Sequence, residues 1–145
     1  MKQIFVINGP NLNMLGIREP AIYGHTTLDD INKEIKELGD RLGVACEFFQ
    51  SNSEGALIDK IQSAYKNADG IIINPGAYTH YSYAIRDALA SVDLPAIEVH
   101  LSDINSREEF RRHSVTKDVC REQISGLGKD GYLKALQILV EQYVD

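Results

Sequence analysis

The chain has 145 residues, 43% of them hydrophobic and 25% charged, with a formal net charge of −6. That length supports one domain, residues 1–145, whose core needs no disulfide staples. The acidic balance excludes the basic face a nucleic-acid partner requires, and any anionic small molecule must be drawn by local arginines and not by the global field. No apolar run approaches the roughly 20 residues that span a bilayer, so no membrane partner is expected. The N-terminus enters a strand almost at once, which leaves no place for a signal peptide. Cys46 and Cys120 are too few and too far apart for a disulfide framework or a CxxC site. Cys46 sits in an alternating apolar run and reads as a buried thiol in a reducing, cytoplasmic setting.

Lys2–Asn8 reads as the first strand, followed by a long loop. Leu28, Ile31, Ile35, Leu38 and Leu42 recur at helical spacing. Thr27 with Asp30 forms a capping signal before that helix, and Gly43 is its stop. Val44–Gln50 is a second strand, and Ser53 opens a second helix with Leu57, Ile58, Ile61, Ala64 and Tyr65 on one face. Gly70–Asn74 is apolar on both faces, as a central parallel strand should be. A helix over Tyr81–Ser91 follows, then a strand at Pro95–Val99 and a charged helical turn near Glu108–Arg112. A weak strand around Val119–Ser125 precedes a closing helix over Asp130–Tyr143.

Alternating β and α segments with short connections predict an α/β fold, a doubly wound parallel sheet. About five strands favours the flavodoxin-like order 2-1-3-4-5. Strands 1, 3 and 4 then become neighbours, and their carboxyl-end loops meet at the switch point where ligands bind. Those three ends carry Asn8-Gly9-Pro10-Asn11, then Asn74-Pro75-Gly76-Ala77-Tyr78-Thr79-His80, then Glu98-Val99-His100-Leu101-Ser102.

The loop from Gly9 to Thr26 exceeds the 2–6 residues usual for a βα connection, and it is not a phosphate loop. It holds Asn11, Asn13, Arg18, Glu19 and Tyr23. Arg18 beside Tyr23 would place a cation near a phenol; alternatively Arg18 is a surface charge and Tyr23 packs the loop down. A tyrosine acting as a base near neutrality needs its pKa lowered by roughly three units, about 4 kcal/mol. One positive charge at about 4 Å supplies roughly that much at an effective dielectric near 20. Desolvation opposes it, so a second cation is required, and Arg107, Arg111 and Arg112 are available. His100 comes directly after a buried strand, where a general acid or base would sit, and Glu98 points to the same side, where it would orient the imidazole. His25 and His113 lie among polar neighbours and read as solvated. The histidines are not at metal-ligand spacing, so no metal is expected. Leu101-Ser102 offers backbone N–H groups to a carboxylate, although Ser102 reads equally as a cap. Arg107 and Arg111 share a face at i, i+4, either as a solvated face or as a clamp for an anionic group.

These residues resemble the type II 3-dehydroquinate dehydratases of the shikimate pathway. The matching motifs are Asn8-Gly9-Pro10-Asn11-Leu12-Asn13, Leu15-Gly16, Arg18-Glu19-Pro20, Tyr23-Gly24, Gln50-Ser51-Asn52, Glu54-Gly55, Asn74-Pro75-Gly76-Ala77 and Thr79-His80. Further matches are Ala84-Ile85-Arg86-Asp87-Ala88, Glu98-Val99-His100-Leu101-Ser102 and Arg107-Glu108-Glu109-Phe110-Arg111. The resemblance runs from residue 1 to the final helix. It implies loss of water from 3-dehydroquinate across C1–C2, giving 3-dehydroshikimate. Tyr23 would remove a proton from C2, with Arg18 lowering its pKa, and the enolate at C3 would be held through a water and Asn11. His100, oriented by Glu98, would protonate the departing C1 hydroxyl. The implied substrate contacts are Asn74, Gly76, His80, the backbone at Leu101 and Ser102, Arg107 and Arg111, with Asp87 supplied by a neighbouring subunit. The resemblance implies no metal, no cofactor, and a dodecamer built as four trimers. Tyr81, Tyr83, Asp103 and Lys117-Asp118 depart from the common pattern without touching a catalytic position. A lysine Schiff-base dehydratase, a phosphoacceptor domain and a flavin-binding module lack their signatures at the ends of strands 1, 3 and 4.

Overall fold

The computed structural model describes residues 1–17, 21 and 24–144. Its strands are β1 (Lys2–Asn8), β2 (Val44–Gln50), β3 (Gly70–Asn74), β4 (Ala96–His100) and β5 (Glu122–Ser125). Its helices are α1 (Leu28–Leu42), α2 (Glu54–Ser63), α3 (Tyr83–Val92) and α4 (Asp130–Ile138). All strand pairings are parallel, in the order β2-β1-β3-β4-β5, so the flavodoxin-like α/β expectation holds.

Strand alternation divides the core between two helical layers. Ile4, Val6, Ile72, Ile97 and Val99 pack against α1 and α4 through Ile31, Ile35, Ala135 and Leu136. Phe5, Ile7, Ile71, Ile73 and Ala96 face α2 and α3 through Leu57, Ile61, Ile85 and Leu89. Glu98 and His100 continue the Ala96 side of β4, so both point into the second layer. The Thr27–Asp30 capping box is formed in both directions, at 3.0 and 3.1 Å, and Gly43 ends α1 in the left-handed region at φ 77°.

Several boundaries differ from the sequence expectation. A 3-10 turn over Gly76–His80 precedes α3, so that helix begins at Tyr83, with the Ser82 side chain accepting from Ile85 N–H. β4 runs one residue further than expected, making His100 its last member and not the residue beyond it. Lys117–Val119 forms a 3-10 turn, which shortens β5 to Glu122–Ser125. The closing helix is α-helical only to Ile138 and continues as a π-helix over Leu139–Tyr143. The charged segment is a 3-10 turn at Glu109–Arg111, and Arg107 is extended at φ −95°, ψ −174°. Arg107 and Arg111 therefore do not form a helical i, i+4 pair. Cys46 is half-buried and not fully enclosed, because β2 is an edge strand.

Candidate active site

The carboxyl ends of β1, β3 and β4 lie side by side, with Asn8 paired to Asn74 and Ile73 to Glu98. Above them opens a cleft of about 200 Å³ lined by Asn11, Asn74, Gly76, His80, His100, Leu101, Ser102, Arg107 and Arg111. These residues come from widely separated parts of the chain, and the switch in strand order brings them together.

Glu98 lies buried behind His100, which lines the cleft. Its side chain is 0% exposed, and His100 beside it is 6% exposed. Oε2 accepts from His100 Nε2 at 2.8 Å and from Gln123 Nε2 at 2.7 Å. Ser114 Oγ donates to the same carboxylate at 2.9 Å, and Thr116 Oγ1 donates to Oε1. Gln123 stands directly across from Glu98 in the β4–β5 register, which puts the two side chains on one face. Burial by itself would raise the Glu98 carboxyl. The hydrogen bond and charge of His100, with the Thr116 and Gln123 bonds, outweigh that and hold it below its ordinary 4.5. An ionised Glu98 only accepts hydrogen bonds, so Nε2 of His100 carries a proton. Nδ1 is then the ring nitrogen left to exchange a proton with a ligand.

Behind Asn74 lies a second buried network. Tyr132 of α4 is fully buried; its hydroxyl donates to Asn8 Oδ1 at 2.6 Å and accepts from Asn74 Nδ2 at 2.9 Å. Burial raises this phenol, against the lowering effect of Asn74. The Asn74 Oδ1 accepts the Gly76 N–H at 3.1 Å, so one side chain links the helical layer to the turn that walls the cleft. A side chain at Gly9 would bring a Cβ to 2.4 Å from the Pro75 carbonyl oxygen, and Gly76 has φ +62°. Only glycines let these two strand-end turns meet so closely.

On the outer wall, His80 Nδ1 donates to the His113 carbonyl at 2.7 Å. Burial lowers the His80 pKa, and the nearby His100 and Arg111 lower it further, against the raising effect of the His113 bond. His80 is therefore neutral at pH 7 and presents Nε2 as an acceptor. Arg107 Nη1 donates to Ser102 Oγ at 3.2 Å. Arg111 Nε lies 2.7 Å from Glu108 Oε2, close enough for an ion pair but without the alignment of a hydrogen bond. Asn11 adopts a left-handed backbone at φ 70°, and its N–H donates to Asn52 Oδ1 at 3.0 Å.

Among the described residues, no group of three or more His, Cys, Asp or Glu is arranged to hold a metal ion. Asp87 is exposed on α3 and does not line the cleft. His25 and His113 are exposed, as their polar surroundings predict. Arg18, Glu19, Pro20 and Tyr23 lie outside the described residues. The sequence reading missed Thr79, Ser114, Thr116, Gln123 and Tyr132. Only the short alternation Ser114-Val115-Thr116 hints at hydroxyls aimed to one side, and Tyr132 falls in an apolar stripe that reads as packing.

A doubly wound sheet with a histidine–carboxylate pair at its switch-point cleft is the architecture of a small-molecule enzyme of the α/β class. The model of the class II dehydroquinase family matches residues 2–140. A 3-dehydroquinate dehydratase from Caldicellulosiruptor bescii is 57% identical over 142 residues, covering 97% of this chain and 98% of that protein. The crystal structure of a type II dehydroquinase from Butyrivibrio crossotus superposes with a TM-score of 0.93 at 58% identity, covering 95% of this chain and 97% of that one. A second, from Propionibacterium acnes, gives a TM-score of 0.92 at 47% identity, covering 97% of each chain. The chain belongs to the class II dehydroquinase family, and with it to the hydro-lyases of the shikimate pathway.

Proposed function

We propose that this chain eliminates water from 3-dehydroquinate to give 3-dehydroshikimate, with Tyr23 as base and His100 as acid. The observation that carries this reading is the buried Glu98–His100 pair, 2.8 Å apart, opening onto the cleft at the ends of β1, β3 and β4. Tyr23, with its phenol kept ionised by Arg18, takes the proton from C2. The electron pair moves toward the C3 carbonyl, and the enolate is held through an ordered water on Asn11. It then re-forms the carbonyl as the C1–C2 double bond forms. The C1 hydroxyl departs as water with a proton from His100, whose charged ring is stabilised by Glu98. The substrate carboxylate binds the N–H groups of Leu101 and Ser102. Arg107 and Arg111 add local positive charge in a chain of net charge −6. Asn74, Gly76 and His80 shape the side that receives the ring hydroxyls, with His80 Nε2 accepting.

The whole chain, 1–145, works as one domain without metal or cofactor, in a cytoplasmic setting and as a dodecamer of four trimers, in which Asp87 reaches a neighbour's cleft. The exposure of Asp87, and of Tyr81 and Tyr83 near it, supports that last point. Among the described residues no helix is long and apolar enough to cross a membrane.

The test adds 3-dehydroquinate to purified protein and follows near-ultraviolet absorbance of the conjugated enone. The wild type raises it with chelator or borohydride present. Tyr23→Phe and His100→Ala bind substrate but lose nearly all turnover. Near-normal turnover of either variant removes that residue from its role; no rise with folded wild-type protein removes the activity.

A further inference from the structure

The segment His113–Thr116 binds one histidine of the cleft directly and reaches the other through Glu98, although it follows the charged turn by only a few residues. Its first carbonyl, from His113, accepts the Nδ1 proton of His80 at 2.7 Å. Its Ser114 and Thr116 hydroxyls donate to Glu98, which in turn accepts from His100. Thr79, the neighbour of His80, lies between those hydroxyls, with its Oγ1 2.9 Å from Ser114 Oγ and 2.8 Å from Thr116 Oγ1. Ser114 and Thr116 each spend their single proton on Glu98, so Thr79 is the donor to one of them. The backbone continues the attachment: Val115 N–H donates to the Thr79 carbonyl at 2.8 Å, and Arg86 Nη1 donates to the Val115 carbonyl at 2.8 Å. Thr79, Ser114 and Thr116 are all at least 98% buried, so water cannot replace the hydroxyl bonds among them and to Glu98.

We propose that His113–Thr116 is a positioning strap that fixes both ring orientations and confines the His100 proton to Nε2, so that the two histidines present complementary nitrogens to one ligand. His80 is held as an Nδ1–H ring offering a lone pair. His100 is held as an Nε2–H ring whose Nδ1 exchanges the proton. The hydroxyls act on His100 through Glu98. A buried carboxylate deprived of its donors takes back a proton, and a protonated Glu98 donates to Nε2 instead of accepting from it. The His100 proton then moves to Nδ1, and no ionised carboxylate is left to stabilise the doubly protonated ring from which Nδ1 donates.

The inference rests on the proposed role of His100 as acid, and the experiment separates the two. Histidine ring 15N shifts are recorded at neutral pH on the full chain, as wild type and as Ser114→Ala/Thr116→Val. His100→Ala identifies its own signals. Nε2–H is expected for His100 in the wild type and Nδ1–H in the double variant, with His80 staying Nδ1–H in both. In parallel, Thr116→Val is expected to lower kcat about 10-fold, the scale of one hydrogen bond to a charged group, with KM changed less than about threefold. Thr116→Ser, which keeps the hydroxyl, is expected to restore kcat, and this pair decides the matter if the double variant fails to fold. A folded variant that keeps the Nε2–H ring and wild-type kcat overturns the strap. So does a loss of kcat that Thr116→Ser fails to restore. If the tautomer changes as expected while His100→Ala still turns over, the strap stands and the acid assignment falls.

Discussion

Replacing Tyr132 by phenylalanine removes one oxygen from the fully buried link between α4 and the ends of β1 and β3. The ring keeps its volume, so no large cavity forms, and the cost comes from hydrogen bonding. Asn8 Oδ1 loses a donor at 2.6 Å and Asn74 Nδ2 loses an acceptor at 2.9 Å. Each lost bond carries about 1 kcal/mol net, and an orphaned buried polar group costs up to about 3 kcal/mol. Partial relaxation of the two amides leaves an expected loss of about 2–4 kcal/mol. For a chain of this size that lowers Tm by roughly 5–15 °C. Urea unfolding at matched protein concentration is the primary assay, and the midpoint should fall with the slope unchanged. The Asn74 amide also holds the Gly76 N–H, so freeing it should raise KM for 3-dehydroquinate several-fold while kcat changes less. A loss below about 0.5 kcal/mol with unaltered KM would refute the bridging role of the hydroxyl.

Glu98 makes acid stability a second test. Burial would raise its carboxyl, but the hydrogen bonds and charge around it keep it lowered in the folded state. A lowered carboxyl contributes stability above its unfolded value, about 4.5, and loses that contribution as pH falls through its folded value. The stability gap between wild type and Glu98→Gln should therefore be constant near neutrality and close below about pH 4; a gap unchanged down to pH 3 would contradict the assignment. The thiols give a third. Burial, aided by Asp40, pushes Cys46 up to about 11, and burial with Glu98 raises Cys120 as well. Alkylation by iodoacetamide at pH 8 should be slow in the folded protein and fast in urea, because the thiolate is the nucleophile. Stoichiometric labelling of native protein within minutes, read by mass spectrometry, would refute it.

Much of this architecture was legible locally. β1, β2, β3 and α1 have the bounds their hydrophobic patterns predict, because each is an apolar run or a periodic segment bounded by polar, Gly or capping residues. The Thr27–Asp30 box is short-range chemistry, readable from two letters. The errors cluster between β4 and β5, where the chain makes 3-10 turns at Ile104–Ser106, Glu109–Arg111 and Lys117–Val119. Turns this short present no periodicity, so the i, i+4 spacing of Arg107 and Arg111 does not translate into a helical pair.

The sequence alone determined the sheet order and which three strand ends carry the polar chemistry, because alternation, caps and apolar strands are local properties that parallel crossover rules convert into topology. The family resemblance supplied the proposed roles of Tyr23, Arg18 and His100. The protonation of Glu98 was decided only by tertiary structure, since its donors Ser114, Thr116 and Gln123 lie 16 to 25 residues away along the chain. The same holds for the Tyr132 bridge, which spans 124 residues to Asn8. No local pattern encodes such partners; a buried polar group finds them only after the layers close around it.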